Sequence, residues 1–324
     1  MFYKNKKVLV TGGTGFVGTN FVEELLRRGA HVRVPVHFRP MLIKDERVEA
    51  VKADLSRPED CLAVCKGMDY VVNAAGAVSA AAVTNSNPMG VITNNLVVAA
   101  QMFQAAWTAG CERFLVLGST TVYPAAERPI KEEEMWSGPT YPTYFAYGWM
   151  RRYLERLAEF VAQKSPMKVA LVRPTAVYGP FDDFHPVKSH VIPALIRKAV
   201  DGMNPYEVWG TGDEVRDFLY VTDMVEGGLL ALEKGATCDP INLGYGKAFT
   251  IKDVVRIILK ETGHDQVPVK FDASKPVTIP FRMVDTAKAK NLLGFEAKVS
   301  LEQGLKNTIK WFKDHPDIAV GGHH

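Results

Sequence analysis

Val8-Leu9-Val10-Thr11-Gly12-Gly13-Thr14-Gly15-Phe16-Val17-Gly18 is the stretch whose reading decides the fold. An apolar run, Val8 to Val10, gives way to four glycines within residues 12–18, after which Phe21, Val22, Leu25 and Leu26 recur at helical spacing. The order is strand, tight turn, helix. In such a turn Gly12 lets the backbone leave the strand sharply, and Gly15 has no Cβ to keep a pyrophosphate away. Gly18 lets the helix pack closely on the strand while its first N–H groups face the anion. Thr14, Phe16 and Val17 fill the positions between and belong to the same expected dinucleotide-binding turn.

Working outward, strand patterns are expected at His31 to Val36, Val48 to Lys52, Tyr70 to Asn73, Phe114 to Gly118 and Val169 to Val172. Helical patterns fall between them at Glu59 to Lys66, Pro88 to Ala109 and Tyr144 to Gln163. Steady alternation of this kind is the signature of a doubly wound parallel sheet, an α/β Rossmann fold. Beyond residue 174 prolines and glycines punctuate shorter elements, with helices expected at Ile192 to Val200, Asp223 to Glu233, Ile251 to Glu261 and Leu301 to Lys313. The expected organisation is a dinucleotide-binding domain over 1–174 and a smaller α/β substrate lobe over 175–320, whose segments can interleave. Residues 321–324, Gly-Gly-His-His, read as the start of a purification tag.

Composition narrows the class. The 324 residues are 47% apolar and 23% charged, ordinary for a globular enzyme. A net charge of +3, from 39 basic and 36 acidic side chains, is too weak to argue for nucleic acid or membrane as a partner. No window is apolar enough for a membrane span, and the N-terminus enters the first strand without a signal-peptide core, so the expectation is a cytoplasmic protein. Cys61, Cys65, Cys111 and Cys238 match no metal or disulfide framework and read as reduced, partly buried thiols, so no metal is expected.

Two segments could carry chemistry. Leu117-Gly118-Ser119-Thr120-Thr121-Val122-Tyr123 places three hydroxyls just past the carboxyl end of a central strand, facing the dinucleotide crevice. Downstream, Tyr147 and Arg151 lie four apart on one helix face. A cation one turn away stabilises a tyrosinate and can also bind a ribose, which equips Tyr147 as an acid or base at a carbonyl. Where an NAD enzyme places Asp or Glu on the ribose 2′-hydroxyl, about twenty residues past the glycine turn, this chain has Val36-His37-Phe38-Arg39. His37 and Arg39 instead suit a 2′-phosphate, so NADP is expected over NAD, with Asp54 and Leu55 bordering the adenine.

These motifs, with Arg173-Pro174-Thr175-Ala176-Val177-Tyr178-Gly179-Pro180, resemble the extended short-chain dehydrogenases, the family of nucleotide-sugar epimerases, dehydratases and reductases. Residues 179–195, the segment Val208-Trp209-Gly210-Thr211-Gly212-Asp213-Glu214-Val215-Arg216-Asp217-Phe218, and Phe271-Asp272-Ala273-Ser274-Lys275-Pro276 are similar to its GDP-L-fucose synthase branch. The resemblance covers nearly the whole chain. It implies that Ser119 or Thr120 bonds the C4 oxygen of a hexose, that Tyr147 passes a proton to or from it, and that His190 lies beside the sugar. It further implies that Lys198, Trp209, Arg216 and Arg282 hold a GDP-linked nucleotide sugar, that Ala74, Ala75, Pro174 and Val177 also touch the coenzyme, and that the chain forms a homodimer. For that dimer, Leu96, Val97, Ala100 and Phe103 on one helix and Tyr153, Leu154, Leu157 and Phe160 on another are expected to supply a four-helix interface.

Two departures from the family pattern shape the expected activity. The usual Tyr-x-x-x-Lys becomes Tyr147-x-x-x-Arg151, which keeps the positive charge. The cysteine that the fucose-synthase branch uses in C3/C5 epimerisation is replaced by Thr121, and a hydroxyl is a poor proton carrier at neutral pH. Thr121-Val122 is not the Asp-Glu pair of the dehydratases either. The expectation is an NADP-dependent reductase acting at C4 of a nucleotide-linked hexose, with the C3/C5 double epimerisation disfavoured. A 4-epimerase with a recycled coenzyme, and a non-catalytic dinucleotide sensor of the same fold, stay open as alternatives.

Overall fold

Alternation along the strands settles which side chains face which layer. The computed structural model describes residues 2–76, 88–186 and 189–321. In β1 (Lys7–Thr11), Val8 and Val10 enter one core and Leu9 the opposite one, as a period of two requires. Then come α1 (Phe16–Arg27), β2 (His31–Val36), β3 (Val48–Lys52), α2 (Pro58–Cys65), β4 (Tyr70–Asn73), α3 (Pro88–Ala109) and β5 (Arg113–Leu117). They are followed by α4 (Phe145–Lys164), β6 (Lys168–Pro174), β7 (Ala176–Tyr178), α5 (Val191–Val200), β8 (Tyr206–Trp209), β9 (Val215–Arg216) and β10 (Phe218–Tyr220). The chain ends with α6 (Val221–Lys234), β11 (Ile241–Leu243), β12 (Phe249–Thr250), α7 (Ile251–Thr262), β13 (Val269–Asp272), β14 (Phe281–Arg282), α8 (Ala287–Leu293), α9 (Leu301–Asp314) and α10 (Pro316–Gly321). The last three residues of the tag-like tail lie outside the described residues.

The main sheet runs β11-β6-β5-β4-β1-β2-β3, with every pairing parallel. Strand order reverses between β1 and β4, and a ligand crevice opens outside the carboxyl ends at such a switch point. One core packs Phe21, Val22 and Leu25 of α1 with Met224, Val225 and Leu229 of α6. The opposite face packs Phe103 of α3 and Ala158 of α4 on Phe114, Val169 and Leu171. The seventh strand, β11, and the covering helix α6 both arrive from beyond residue 174, so the two parts of the sequence interleave in space.

The smaller lobe has its own core, in which Phe184, Ile196, Tyr206, Val254, Ile258, Leu305 and Phe312 meet. Short pairings β10 with β7, β13 with β8, and β9 between β12 and β14 hold it over the carboxyl edge. Among the described residues no helix is long and apolar enough to cross a membrane.

Candidate active site at the carboxyl edge

The glycine turn is built as its spacing demands. Gly12 has φ +65°, and a Cβ there would lie 2.7 Å from Ala74 O. At Gly18 a Cβ would approach Gly12 O to 2.0 Å, so helix and turn touch backbone to backbone. Gly15, the N-cap of α1, is different: its added Cβ would meet Gly12 O at 3.4 Å and Arg39 Nη1 at 3.9 Å, both ordinary contacts. The space above Gly15 is therefore open to a ligand, and Thr14, Phe16 and Val17 are all partly exposed around it. These residues fit the pyrophosphate of a dinucleotide, which the first N–H groups of α1 would face.

Beyond β2, Arg39 reaches back over the turn, while His37 packs on the exposed Phe38 ring at 3.6 Å between centroids. His37 Nε2 stands 3.9 Å from Asp54 Oδ2, so β2 and β3 deliver these side chains to one place. Hydrogen bonding from Ser56 holds the Asp54 carboxyl below the usual range. Leu55 is partly buried and packs on the core beneath the sheet. Ala74 and Ala75 follow β4, and Ala75 N–H donates to Thr11 Oγ1 at 3.0 Å while Thr11 donates to Asn73 Oδ1 at 2.7 Å. Sequence reading missed Thr11 and Asn73, which lock the ends of β1 and β4 at the switch point.

The hydroxyl loop enters a 3₁₀ turn, Thr120–Val122. Ser119 Oγ accepts from Thr121 N–H at 3.2 Å and from Thr121 Oγ1 at 2.9 Å. Thr120 is only 8% exposed, which leaves Ser119 and Thr121 as the partly exposed hydroxyls of the three. On α4, Arg151 Nη2 donates to Tyr147 OH at 2.6 Å and Nη1 donates to Leu117 O at 3.0 Å. The buried Arg151 Nε has no protein hydrogen-bond partner, and Arg151 lines a small cavity with Asn73, Asn95 and Glu155. Helix and loop approach closely because Gly148 is there: a Cβ would lie 2.5 Å from Thr121 O. Chemically, this arrangement can bond a carbonyl oxygen and exchange a proton with it.

Behind the loop runs a polar network that the sequence reading did not anticipate. Arg173 and Glu155, 1% and 4% exposed, form a paired contact at 2.6 and 3.0 Å. Burial opposes the Arg173 charge and the Glu155 carboxylate overrides it. Arg173 Nη1 donates to Tyr123 OH at 2.7 Å, and Tyr123 OH donates to Asn242 Oδ1 at 2.6 Å. Asn242 N–H in turn donates to Glu132 Oε1 at 2.8 Å. One signal was present in the chain: Arg173 follows the apolar run Val169 to Val172, where a charge must be partnered. Pro174 and Val177, expected near the coenzyme, lie in β6 and β7 immediately after it and are partly exposed.

On the lobe side, Arg216 of β9 and Arg282 of β14 are register partners in parallel strands, so both side chains leave the same face; Arg216 Nη2 donates to Thr278 Oγ1 at 3.0 Å and Arg282 Nη1 to Pro124 O at 3.3 Å. Arg282 is 7% exposed, and its buried Nη2 has no hydrogen-bond partner. Burial, with Arg216 nearby, pushes Arg282 down to about 10. Burial also lowers Arg216, against which Tyr144 and Tyr141 act. A desolvated pair of cations with an unsatisfied donor is suited to a dianionic ligand. The tyrosines were not foreseen. Lys198 donates to Glu207 O at 2.9 Å, and the indole of Trp209 is half exposed at the end of β8. His190 caps α5, with Nδ1 3.7 Å from the buried Asp182.

The dimer expectation needs correction at two of its residues. Phe103 stacks on Phe114 at 4.7 Å, and Leu154 packs with Ala99 and Met150, so both are spent inside the chain's own core. Tyr153 and Phe160 do remain exposed on α4, with Trp107 on α3. The helices pack on each other and on the sheet more fully than an apolar stripe reveals. Among the described residues no cluster suited to a metal ion occurs.

Residues 8–244 match the model of the NAD dependent epimerase/dehydratase family. The chain is 32% identical over 320 residues to the probable GDP-L-fucose synthase 1 of Oryza sativa subsp. japonica, covering 96% of this chain and 93% of that protein. It is 28% identical over 324 residues to the dTDP-4-dehydro-6-deoxy-D-allose reductase of Streptomyces bikiniensis, covering 97% and 98%. The crystal structure of the UDP-glucose 4-epimerase of Thermotoga maritima with UDP-glucose superimposes with a TM-score of 0.86 at 26% identity, covering 96% of this chain and 99% of that one.

Proposed function

We infer the activity from family and geometry together: the chain belongs to the NAD dependent epimerase/dehydratase family and is an NAD(P)-dependent enzyme acting at C4 of a nucleotide-linked hexose. The reading favoured here is reduction of a 4-keto-6-deoxy sugar. Its main support is the short bond from Arg151 to Tyr147 on the helix that Gly148 lets approach the hydroxyl loop. Bound NADPH would supply the hydride. Ser119 orients the keto oxygen, Tyr147 gives it a proton, and Arg151 balances the charge left on the phenol oxygen. The paired Arg216 and Arg282 take the diphosphate, and Trp209 offers a ring face to the base or sugar.

The finer assignments are our proposals. NADP is the coenzyme because Arg39 and His37 stand where an NAD enzyme carries a carboxylate. GDP is the nucleotide, by likeness to the fucose synthase of rice. The enzyme works in the cytoplasm as a homodimer through the exposed faces of α3 and α4. C3/C5 epimerisation is absent, since Thr121 directs its hydroxyl to Ser119. A second reading, a 4-epimerase, is favoured by the likeness to the Thermotoga maritima enzyme. It requires no outside hydride. A panel of GDP-, UDP-, CDP- and dTDP-sugars and their 4-keto-6-deoxy forms, followed by coenzyme absorbance and product identity, separates the two. Stoichiometric NADPH oxidation with a 4-keto sugar is the expected result, and sugar conversion without net coenzyme use would replace it with the epimerase reading.

A further inference from the structure

Asp182 is 2% exposed, and its buried Oδ2 has no hydrogen-bond partner. Its Oδ1 accepts from Asp183 N–H at 2.8 Å and stands 3.7 Å from His190 Nδ1. Phe181, at φ 69°, makes the left-handed turn that sends Asp182 inward, a strained conformation for a residue other than glycine. The next residues are pinned from the far end of the chain. Phe184 N–H donates to Ala319 O at 3.2 Å, and its ring stacks on Phe312 at 4.4 Å. The carboxylate is thus held in place by a packed loop, while the imidazole opposite it is 47% exposed.

We propose that Asp182 is a positioning residue for His190, turning Nδ1 inward so that Nε2–H is presented to a hexose oxygen of the bound nucleotide sugar. This rests on the nucleotide-sugar reading above. Among the described residues, Asp182 and Asp183 are the charged groups that face His190, and His190 and Asp183 those that face Asp182. Packing around the ring opposes its charge, but Asp182 outweighs it, and His190 lies above the ordinary imidazole range. The 3.7 Å gap is longer than a hydrogen bond. Such contacts tighten when ligand fills a site. The donor is present while the imidazole is protonated, so sugar affinity weakens as pH rises through the His190 midpoint.

The experiment is an NMR titration of the His190 ring in the full chain, assigned by its loss in His190→Asn. The native midpoint is expected above that of an ordinary imidazole, and Asp182→Asn should lower it. In parallel, Asp182→Asn should raise KM for the nucleotide sugar about tenfold at neutral pH with a smaller change in kcat, leave coenzyme binding intact, and add nothing further in a His190→Asn background. Asp182→Glu, which keeps the carboxylate, should recover part of the midpoint shift. A native midpoint at or below the ordinary value, or one unmoved in Asp182→Asn that still binds coenzyme, overturns the pairing. Because the titration needs no substrate, failure of every nucleotide sugar to react would remove the functional reading and leave the pairing to be judged by the midpoints.

Discussion

Arg151 Nη2 bonds the phenol oxygen of Tyr147 at 2.6 Å, and the same guanidinium ties α4 to the end of β5 through Leu117 O. One side chain therefore does two jobs, its planar fork sending two donors in fixed directions where a lysine would offer three rotatable ones. Tyr147→Phe should cut turnover by roughly 10²-fold or more while leaving NADP affinity nearly unchanged. Arg151→Lys should keep activity within about tenfold, whereas Arg151→Met should fall as far as Tyr147→Phe. Steady-state kinetics with coenzyme titration checks both, and full activity of Tyr147→Phe would remove this tyrosine from the reaction.

Two of the turn's four glycines, Gly15 and Gly18, should respond differently. Gly18→Ala drives a methyl into Gly12 O, so thermal unfolding should show a loss of at least ~2 kcal/mol. Gly15→Ala meets only ordinary contacts and should fold like the parent. Its added methyl occupies the open face of the turn, so dinucleotide affinity should drop by about tenfold or more in calorimetry. Unchanged binding by Gly15→Ala would place the pyrophosphate elsewhere.

The NADP proposal rests on Arg39, whose guanidinium hangs over the glycine turn. NADP should bind more tightly than NAD, and Arg39→Asp should narrow or invert the difference. Equal or stronger NAD binding by the unmodified chain would rule out this assignment.

Thr121 gives a test of epimerisation. Its hydroxyl is engaged with Ser119, and carbon inversion needs a proton donor and acceptor on opposite faces of the sugar. A 4-keto-6-deoxy nucleotide sugar incubated in deuterium oxide without coenzyme should therefore stay unlabelled at C3 and C5, and Thr121→Cys should permit exchange. Rapid uptake at both carbons by the unmodified chain would restore a full epimerase and reductase assignment.

The proposed homodimer rests on what α4 leaves outside. Tyr153 and Phe160, 59% and 51% exposed, should lie in a helix-to-helix dimer interface. Phe160→Asp with Tyr153→Asp should convert a dimer into a monomer by light scattering at micromolar concentration. A monomeric mass for the parent chain would remove the dimer.

Much of this protein was determined by its sequence alone. Glycine spacing, apolar periodicity and the position of each loop after its strand are local properties, and they specified a parallel sheet, the glycine turn, the hydroxyl loop and the Tyr147 helix face. Tertiary structure alone decided which polar groups meet. Tyr123 finds Asn242 across 119 residues, Arg173 finds Glu155 on a helix, and β9 and β14 bring Arg216 beside Arg282. It also decided that Phe103 and Leu154 are core rather than surface. The physical reason is that periodicity fixes the face a side chain takes, whereas its partner depends on which strand or helix the folded chain lays opposite. A buried charge such as Asp182 can be tolerated only where that opposing group is supplied.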